Sequence, residues 1–293
     1  MFGVLLYAAL PTFREFGLKF LTSTSWNPVT DEFGALPFIY GTVVTSTIAI
    51  VLALPVSLGL ALLLNEMRIG WIKHPFTVLV DLLAAIPSVV YGLWGIFVMA
   101  PVLNKTLEPA LGATLGKLPV IGVFFQPTAS AGNMLNAGII LAIMVIPIIT
   151  AISREVIAIV PGDLREAALA MGATHWETIR MAVLPYARNG IIGATMLGLG
   201  RALGETIAVA MLVGNGLGIS ASLFAPGYTI PAVIANEFRE AGSVGLHRSS
   251  LLALAVILVA IALILAAASR MLVRSTAHRL GAKPADMSTL ELP

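Results

Sequence analysis

The chain has 293 residues and a formal net charge of +2, with 58% apolar against 11% charged residues. Soluble domains run at roughly half apolar and a quarter charged, so this balance, with a mean hydropathy of +0.96, excludes an ordinary soluble fold and reads as a membrane protein. The lack of cysteine excludes disulfides and thiolate-bound metal. His74, His175, His247 and His278 lie far apart with no HExxH or paired spacing, so no metal site is expected. The small net charge singles out no partner, and nucleic acid is not among those expected.

In chain order, the N-terminal "MFGVLLYAALP" comes first. Its eleven residues would rise only about 16 Å as a helix, half the hydrocarbon thickness. It lacks the basic region and small-x-small site of a signal peptide. It therefore reads as the later part of a first helix that begins upstream of Met1. Apolar runs of spanning length follow at 39–64, 76–101, 135–152, 189–214 and 249–268. The fold class expected is all-α, one polytopic membrane domain over 1–293 with six helices, the first of them truncated.

Lys and Arg orient these spans. Connectors 65–75, 153–188 and 269–293 hold ten of them, among them Arg68, Arg154, Arg165 and Lys283, whereas 12–38, 102–134 and 215–248 hold six. By the positive-inside rule the first set faces the cytoplasm, with both chain ends on that side.

Within the spans, Pro55, Pro87 and Pro147 each remove a helix hydrogen bond and permit a kink; static packing is the expected role. Asp81, about 8 Å into a span that starts at Phe76, should meet a loop cation near the cytoplasmic interface. The stretch "GATLGKL" at Gly112–Leu118 resembles a phosphate-binding loop but is one residue short between its glycines and has Leu where Ser or Thr is needed. It is read as an accidental glycine-rich connector, which leaves the chain without a nucleotide site of its own.

Connector 153–188 has structure of its own. Pro161 and Gly162 break the preceding helix, and Asp163 with Glu166 has the spacing of a capping box, so a short helix is predicted from there to Gly172. Leu164, Ala167, Ala168 and Met171 recur on one face. That face is mostly alanine, which suits close docking into a protein groove better than the bulky side chains of a lipid-surface helix.

The segment "GLGRALGETIAVAMLVG", 198–214, places two opposite charges in an apolar run. If the span starts near Asn189, Arg201 lies about 18 Å deep and Glu205 about 24 Å, and on a continuous helix their i, i+4 spacing lets them meet on one face. An arginine at mid-bilayer costs about 2.5–3.5 kcal/mol on insertion scales, so it should face protein or water. Two readings follow: an ion pair that locks packing, or an anion-handling site on a translocation path. The second is favoured, because intramembrane charges mark pathways. Gly198, Gly200 and Gly204 allow close helix approach beside it.

"EAALAMG" at Glu166–Gly172 followed by "VLP" at Val183–Pro185 resembles the EAA signature of ABC importer permeases, with Ala182 standing where that pattern usually has Ile. In that family the loop seats a short coupling helix on a cytoplasmic ATPase, which implies that Arg165, Glu166, Ala167, Ala168 and Gly172 face an ATPase partner. "DLLAAIPSVVYGLWG", "GLGRALGETIAV", "YGTVVTS" at Tyr40–Ser46 and "ANEF" at Ala235–Phe238 together resemble the PstC family of phosphate-specific ABC permeases. The resemblance implies a non-enzymatic permease subunit for inorganic phosphate in a bacterial cytoplasmic (inner) membrane. It further implies a PstA-like sister permease, a PstB-like ATPase dimer that carries the ATP and Mg, a periplasmic PstS-like phosphate-binding protein, and no cofactor in this chain. It associates Arg201 and Glu205 with phosphate passage. A permease for sulfate, molybdate or a phosphonate would share these features, while an ion-driven secondary transporter would leave the EAA spacing a coincidence.

Overall fold

The structure is a computed structural model that describes residues 2–66, 70–128, 130–242 and 245–279. Met1, Arg68, Lys283 and the C-terminus, all of which enter the expectations above, lie outside the described residues.

Among the described residues the regular elements are helices except for one antiparallel hairpin of two-residue strands. Helix α1 spans Phe2–Phe16, and the hairpin strands β1, Trp26–Asn27, and β2, Glu32–Phe33, lead into α2, Leu36–Glu66. Then come α3, Gly70–Ala85, and α4, Ser88–Lys117, followed by α5, Met134–Ala158. The loop helices are α6, Gly162–Ala170, and α7, His175–Thr178; α7 passes through a π turn, Ile179–Val183, into α8, Leu184–Gly204. Last are α9, Ile207–Leu212, α10, Ile230–Glu237, and α11, Leu246–Arg279.

Among the described residues four helices are long and apolar enough to cross a membrane, namely α2, α4, α5 and residues Leu246–Met271 of α11. Runs 39–64, 135–152 and 249–268 fall inside α2, α5 and α11 as the apolar pattern predicts. The other two runs do not form single helices. Run 76–101 breaks at Pro87, which divides α3 from α4, and run 189–214 breaks at Glu205 and Thr206, which divide α8 from α9. Hydropathy sees apolar length but not the backbone break, because the residues on both sides of each break are equally apolar.

Helix α5 is the central element. Two thirds of its apolar window, 67%, is buried within the chain, against 28% for α2, α4 and α11, whose outer faces are left for lipid or other subunits. It packs against α2, α3, α8 and α9, and α1 lies along α11. There Thr12 Oγ1 donates to Ser249 Oγ at 2.8 Å, which in turn donates to the Ala8 carbonyl at 3.0 Å. Such hydroxyl bonds between helices are a usual adhesive where apolar contact gives no advantage over lipid.

The buried start of α5 shows how its free N–H groups are satisfied. Asn133 N donates to Leu212 O, Met134 N to Ala225 O and Leu135 N to Leu223 O, at 2.9–3.2 Å, while Asn136 N donates to the capping Asn133 side chain at 2.8 Å. Loop 213–229 is therefore folded back onto α5 as a backbone partner, which supplies the acceptors a buried helix end requires. Prolines explain the π turns: Gly95–Met99 within α4 and Ile179–Val183 each end two residues before a proline, Pro101 and Pro185. The lost N–H and the ring clash are absorbed by the wider turn.

Candidate functional site

The first break is built by Pro87. Its ring blocks a helix through residue 86 and it has no N–H to offer Leu83 O, and the Tyr91 hydroxyl donates to that carbonyl at 2.8 Å instead. Tyr91 is buried, so this bond stabilises the break from within. At the second break Glu205 closes α8 in an extended conformation, and its carboxylate accepts a long 3.5 Å bond from Ala208 N in the first turn of α9. A carboxylate at a helix start is favoured by the partial positive charge there.

The two breaks are neighbours. An added Cβ at Gly92 would lie 2.7 Å from Met211 Sδ and 3.1 Å from Ala208 Cα, and one at Gly95 would lie 2.5 Å from Leu212 Cδ1. The contacts advance together along both helices, so α4 and α9 run parallel from their broken starts. Arg201 lies in the last turn of α8, just before the second break.

The contact that a continuous helix would allow between Arg201 and Glu205, the less favoured of the two readings, is not made. The helix ends between them, Glu205 is buried at 8% exposure against the start of α9, and Arg201 is exposed with no ion pair among the described residues. The i, i+4 argument required a continuous helix. Asp81 is exposed on α3 and likewise has no ion pair among the described residues; Arg68, a cation of the neighbouring connector, lies outside them. Tyr91, Ser88 and Thr206, at the two breaks, were not singled out by sequence; the signal available for the first was the "IPS" of Ile86–Ser88.

Two cavities of about 380 and 390 Å³ adjoin at Asn104, just past the middle of α4, and the second is lined by Met211 and Leu212 of α9. Neither is lined by Arg201. The "GATLGKL" stretch is the last two turns of α4, with no strand before it, which removes the geometry a phosphate-binding loop needs.

In connector 153–188 the predicted short helix is present, with its end formed as expected. Gly172 takes φ +86°, Gly172 N donates to Leu169 O at 2.9 Å and Ala173 N to Ala168 O at 3.1 Å, the paired bonds of a Schellman motif. A residue with a Cβ would be strained there. The helix start differs from expectation. Pro161 is the cap residue, with no side-chain bond, and Asp163 lies inside the first turn. The capping box sits one helix later, where Thr174 Oγ1 accepts from Glu177 N and Glu177 Oε2 accepts from Thr174 N at 2.7 Å. Pro161 itself occupies the cap position and Asp163 falls in the first turn, where a carboxylate is favoured by the helix dipole. The Thr174 N–H bond, with the Thr174 hydroxyl, holds the Glu177 carboxyl below its ordinary range.

Of the five residues expected to face an ATPase, Glu166, Ala167 and Gly172 are exposed, with Leu164, Leu169 and Met171 beside them. Ala168 is buried. Arg165 turns back to the transmembrane body, where Nη1 meets Glu66 Oε1 at 2.6 Å.

The sequence model of the family described as "Binding-protein-dependent transport system inner membrane component" matches residues 53–278. The chain is 51% identical over 266 residues to the "Phosphate transport system permease protein PstC" of Mesorhizobium japonicum, covering 90% of this chain and 80% of that protein. It is 42% identical over 260 residues to the protein of the same name from Haemophilus influenzae, covering 89% and 82%. The "Probable phosphate transport system permease protein PstC" of Methanocaldococcus jannaschii is 37% identical over 243 residues, with 82% and 76% covered. In fold, the chain is similar to a subunit of the inward-facing MetNI methionine ABC transporter at a TM-score of 0.58 and 18% identity, covering 86% of this chain and 99% of that one. The chain therefore belongs to the family of binding-protein-dependent transport system inner membrane components, within its PstC group of permeases.

Proposed function

We propose that this chain is the permease subunit of an ATP-driven importer of inorganic phosphate. It would form the translocation path with a PstA-like sister, receive phosphate from a PstS-like binding protein outside the membrane, and be driven by a PstB-like ATPase dimer. ATP and Mg would reside on that partner. The observation that carries the substrate is the 37–51% identity, over most of the chain, to proteins named as phosphate transport system permeases.

The local chemistry supports an anion. Arg201 presents a guanidinium without a partner ion among the described residues, and that group matches phosphate oxygens in a bidentate fashion. It lies in the last turn before the break at Glu205, the helix beyond that break packs on α4, and α4 has no side chain capping its first N–H groups. Broken helices of this kind place partial positive charge at mid-membrane in other transporters. In this reading Arg201 touches the passing anion, and Glu205 contributes by holding the start of α9 open beside it. Connector 153–188 and the C-terminus lie in the cytoplasm, where the exposed face of α6 seats on the ATPase and transmits its closure to the spans.

The test is radiolabelled phosphate uptake in a permease-deleted strain that carries this chain with its proposed partners, with excess sulfate as competitor. Sulfate-insensitive uptake is expected. A correctly assembled membrane complex that takes up sulfate or molybdate but not phosphate would overturn the substrate assignment.

A further inference from the structure

The cytoplasmic loop has one feature that a docking face does not require. Of the nine residues of α6 only Ala168 is buried, and the helix rests on α7 and the π turn, Ile179–Val183. It is thus lightly attached to the rest of the chain. Arg165 makes the long-range tie. Its Nη1 donates to Glu66 Oε1 at 2.6 Å and its Nη2 to the Ile157 carbonyl at 3.4 Å, so one guanidinium reaches the last residue of α2 and the last turn of α5.

Both acceptors can take donors from a cation: Glu66 offers a carboxylate, and Ile157 O, which accepts from Val160 N at 3.3 Å, keeps a second lone pair. The preceding residue, Asn65, donates to Ala61 O and to Arg154 O, both at 3.0 Å, which pins the ends of α2 and α5 to each other. Beneath them Ala61, Ile157, Val160, Val183, Ala187 and Ile191 form a separate buried cluster that joins α2, α5 and α8. The ends of these three helices are one packed unit, to which Arg165 fastens α6. The side chains of Arg165 and Glu66 are 27% and 33% exposed, and a pair so placed contributes little to stability. Its value is geometric.

We propose that Arg165 and Glu66 form a positioning strut, so that displacement of α6 is delivered to α2 and α5 together instead of being lost in a tilt of the loop helix. The proposal rests on the coupling role given to α6 above. Arg165 is then a positioning residue that acts behind the docking face, where its neighbour Glu166 stands exposed.

The experiment uses the full complex reconstituted in vesicles, with phosphate uptake and ATP hydrolysis measured together. Arg165→Gln and Glu66→Gln are each expected to lower anion moved per ATP by about five- to tenfold, the lower range of a typical coupling free energy. The charge swap, Arg165→Glu with Glu66→Arg, should restore most of it. Wild-type stoichiometry in both single variants, or an assembled swap that restores nothing, would overturn the strut. Failure of all three to assemble would overturn it too, by assigning the pair to folding. A second readout, hydrogen exchange across residues 163–172 in the nucleotide-free complex, does not depend on the cargo. Faster exchange in the single variants, reversed in the swap, supports the strut, and unchanged exchange overturns it even if the wild type carries an anion other than phosphate.

Discussion

Gly41→Ala is the sharpest structural test, because the added methyl meets backbone. Its Cβ would overlap the Tyr228 carbonyl oxygen and lie 2.9 Å from the carbonyl carbon. No rotamer change can relieve this, so α2 and the segment entering α10 must separate. That segment is fastened one residue away, where Ile230 N donates to Thr42 Oγ1 at 2.9 Å in a buried setting, and Tyr40 OH donates to Ser220 O at 2.7 Å. Overpacking costs about 1–3 kcal/mol, and stranding the buried Ile230 N–H adds about 1–3 kcal/mol, so the substitution should destabilise by about 2–6 kcal/mol. Thermal unfolding of the purified complex in detergent measures it. The control is Gly200→Ala, since Gly200 has nothing within 4 Å of its added Cβ and alanine has the better helix propensity. If Gly41→Ala melted with the wild type, the close approach of α2 to Tyr228 would be refuted.

Other outcomes follow from the site and the loop. Arg201→Gln should cut phosphate uptake at least tenfold with the complex intact, and Arg201→Lys should retain part of it because charge survives without the bidentate fork; loss of assembly in Arg201→Gln would make the residue structural. Tyr91→Phe removes the hydroxyl donor to Leu83 O at the Pro87 break, which keeps only the 3.4 Å bond from Ile86 N, and should cost about 0.5–1.5 kcal/mol in the same melting assay. Glu166→Lys, on the exposed face of α6, should uncouple ATP hydrolysis from uptake while membrane insertion is unchanged. The Glu177 carboxyl is held below its ordinary range by the Thr174 N–H, so the cap it makes is complete above the unfolded value of about 4.3 and is lost as pH falls through the lower folded value. Hydrogen exchange at residues 174–178 should accelerate only in that acid window, and Glu177→Gln should remove the pH dependence.

The short motifs gain physical meaning from their contacts. Tyr40, Gly41 and Thr42 hold the start of α2 against the loops that precede α10. Asn236 and Glu237 of "ANEF" do the same on the other side, since Asn236 donates to Tyr228 OH and Glu237 accepts from Trp26 Nε1 and contacts His247 at 3.0 Å. These blocks could be quoted from the sequence, but their partners lie up to 211 positions away, and no local pattern encodes them.

By itself the sequence determined what depends on composition and local backbone chemistry. Apolar length gave the membrane class and the spans 39–64, 135–152 and 249–268. Proline and glycine bounded α6, and Gly172 supplied the left-handed turn that ends it. The tertiary structure decided where charges go. Arg201 and Glu205 are separated because the helix between them ends, and whether it ends depends on Glu205 finding α9 and on α9 lying against Gly92. Arg165 left the docking face because the end of α2, 99 positions earlier in the chain, placed Glu66 within reach. Charge spacing along a sequence fixes a contact only where the backbone between the charges is one continuous element, and at both of these sites it is not.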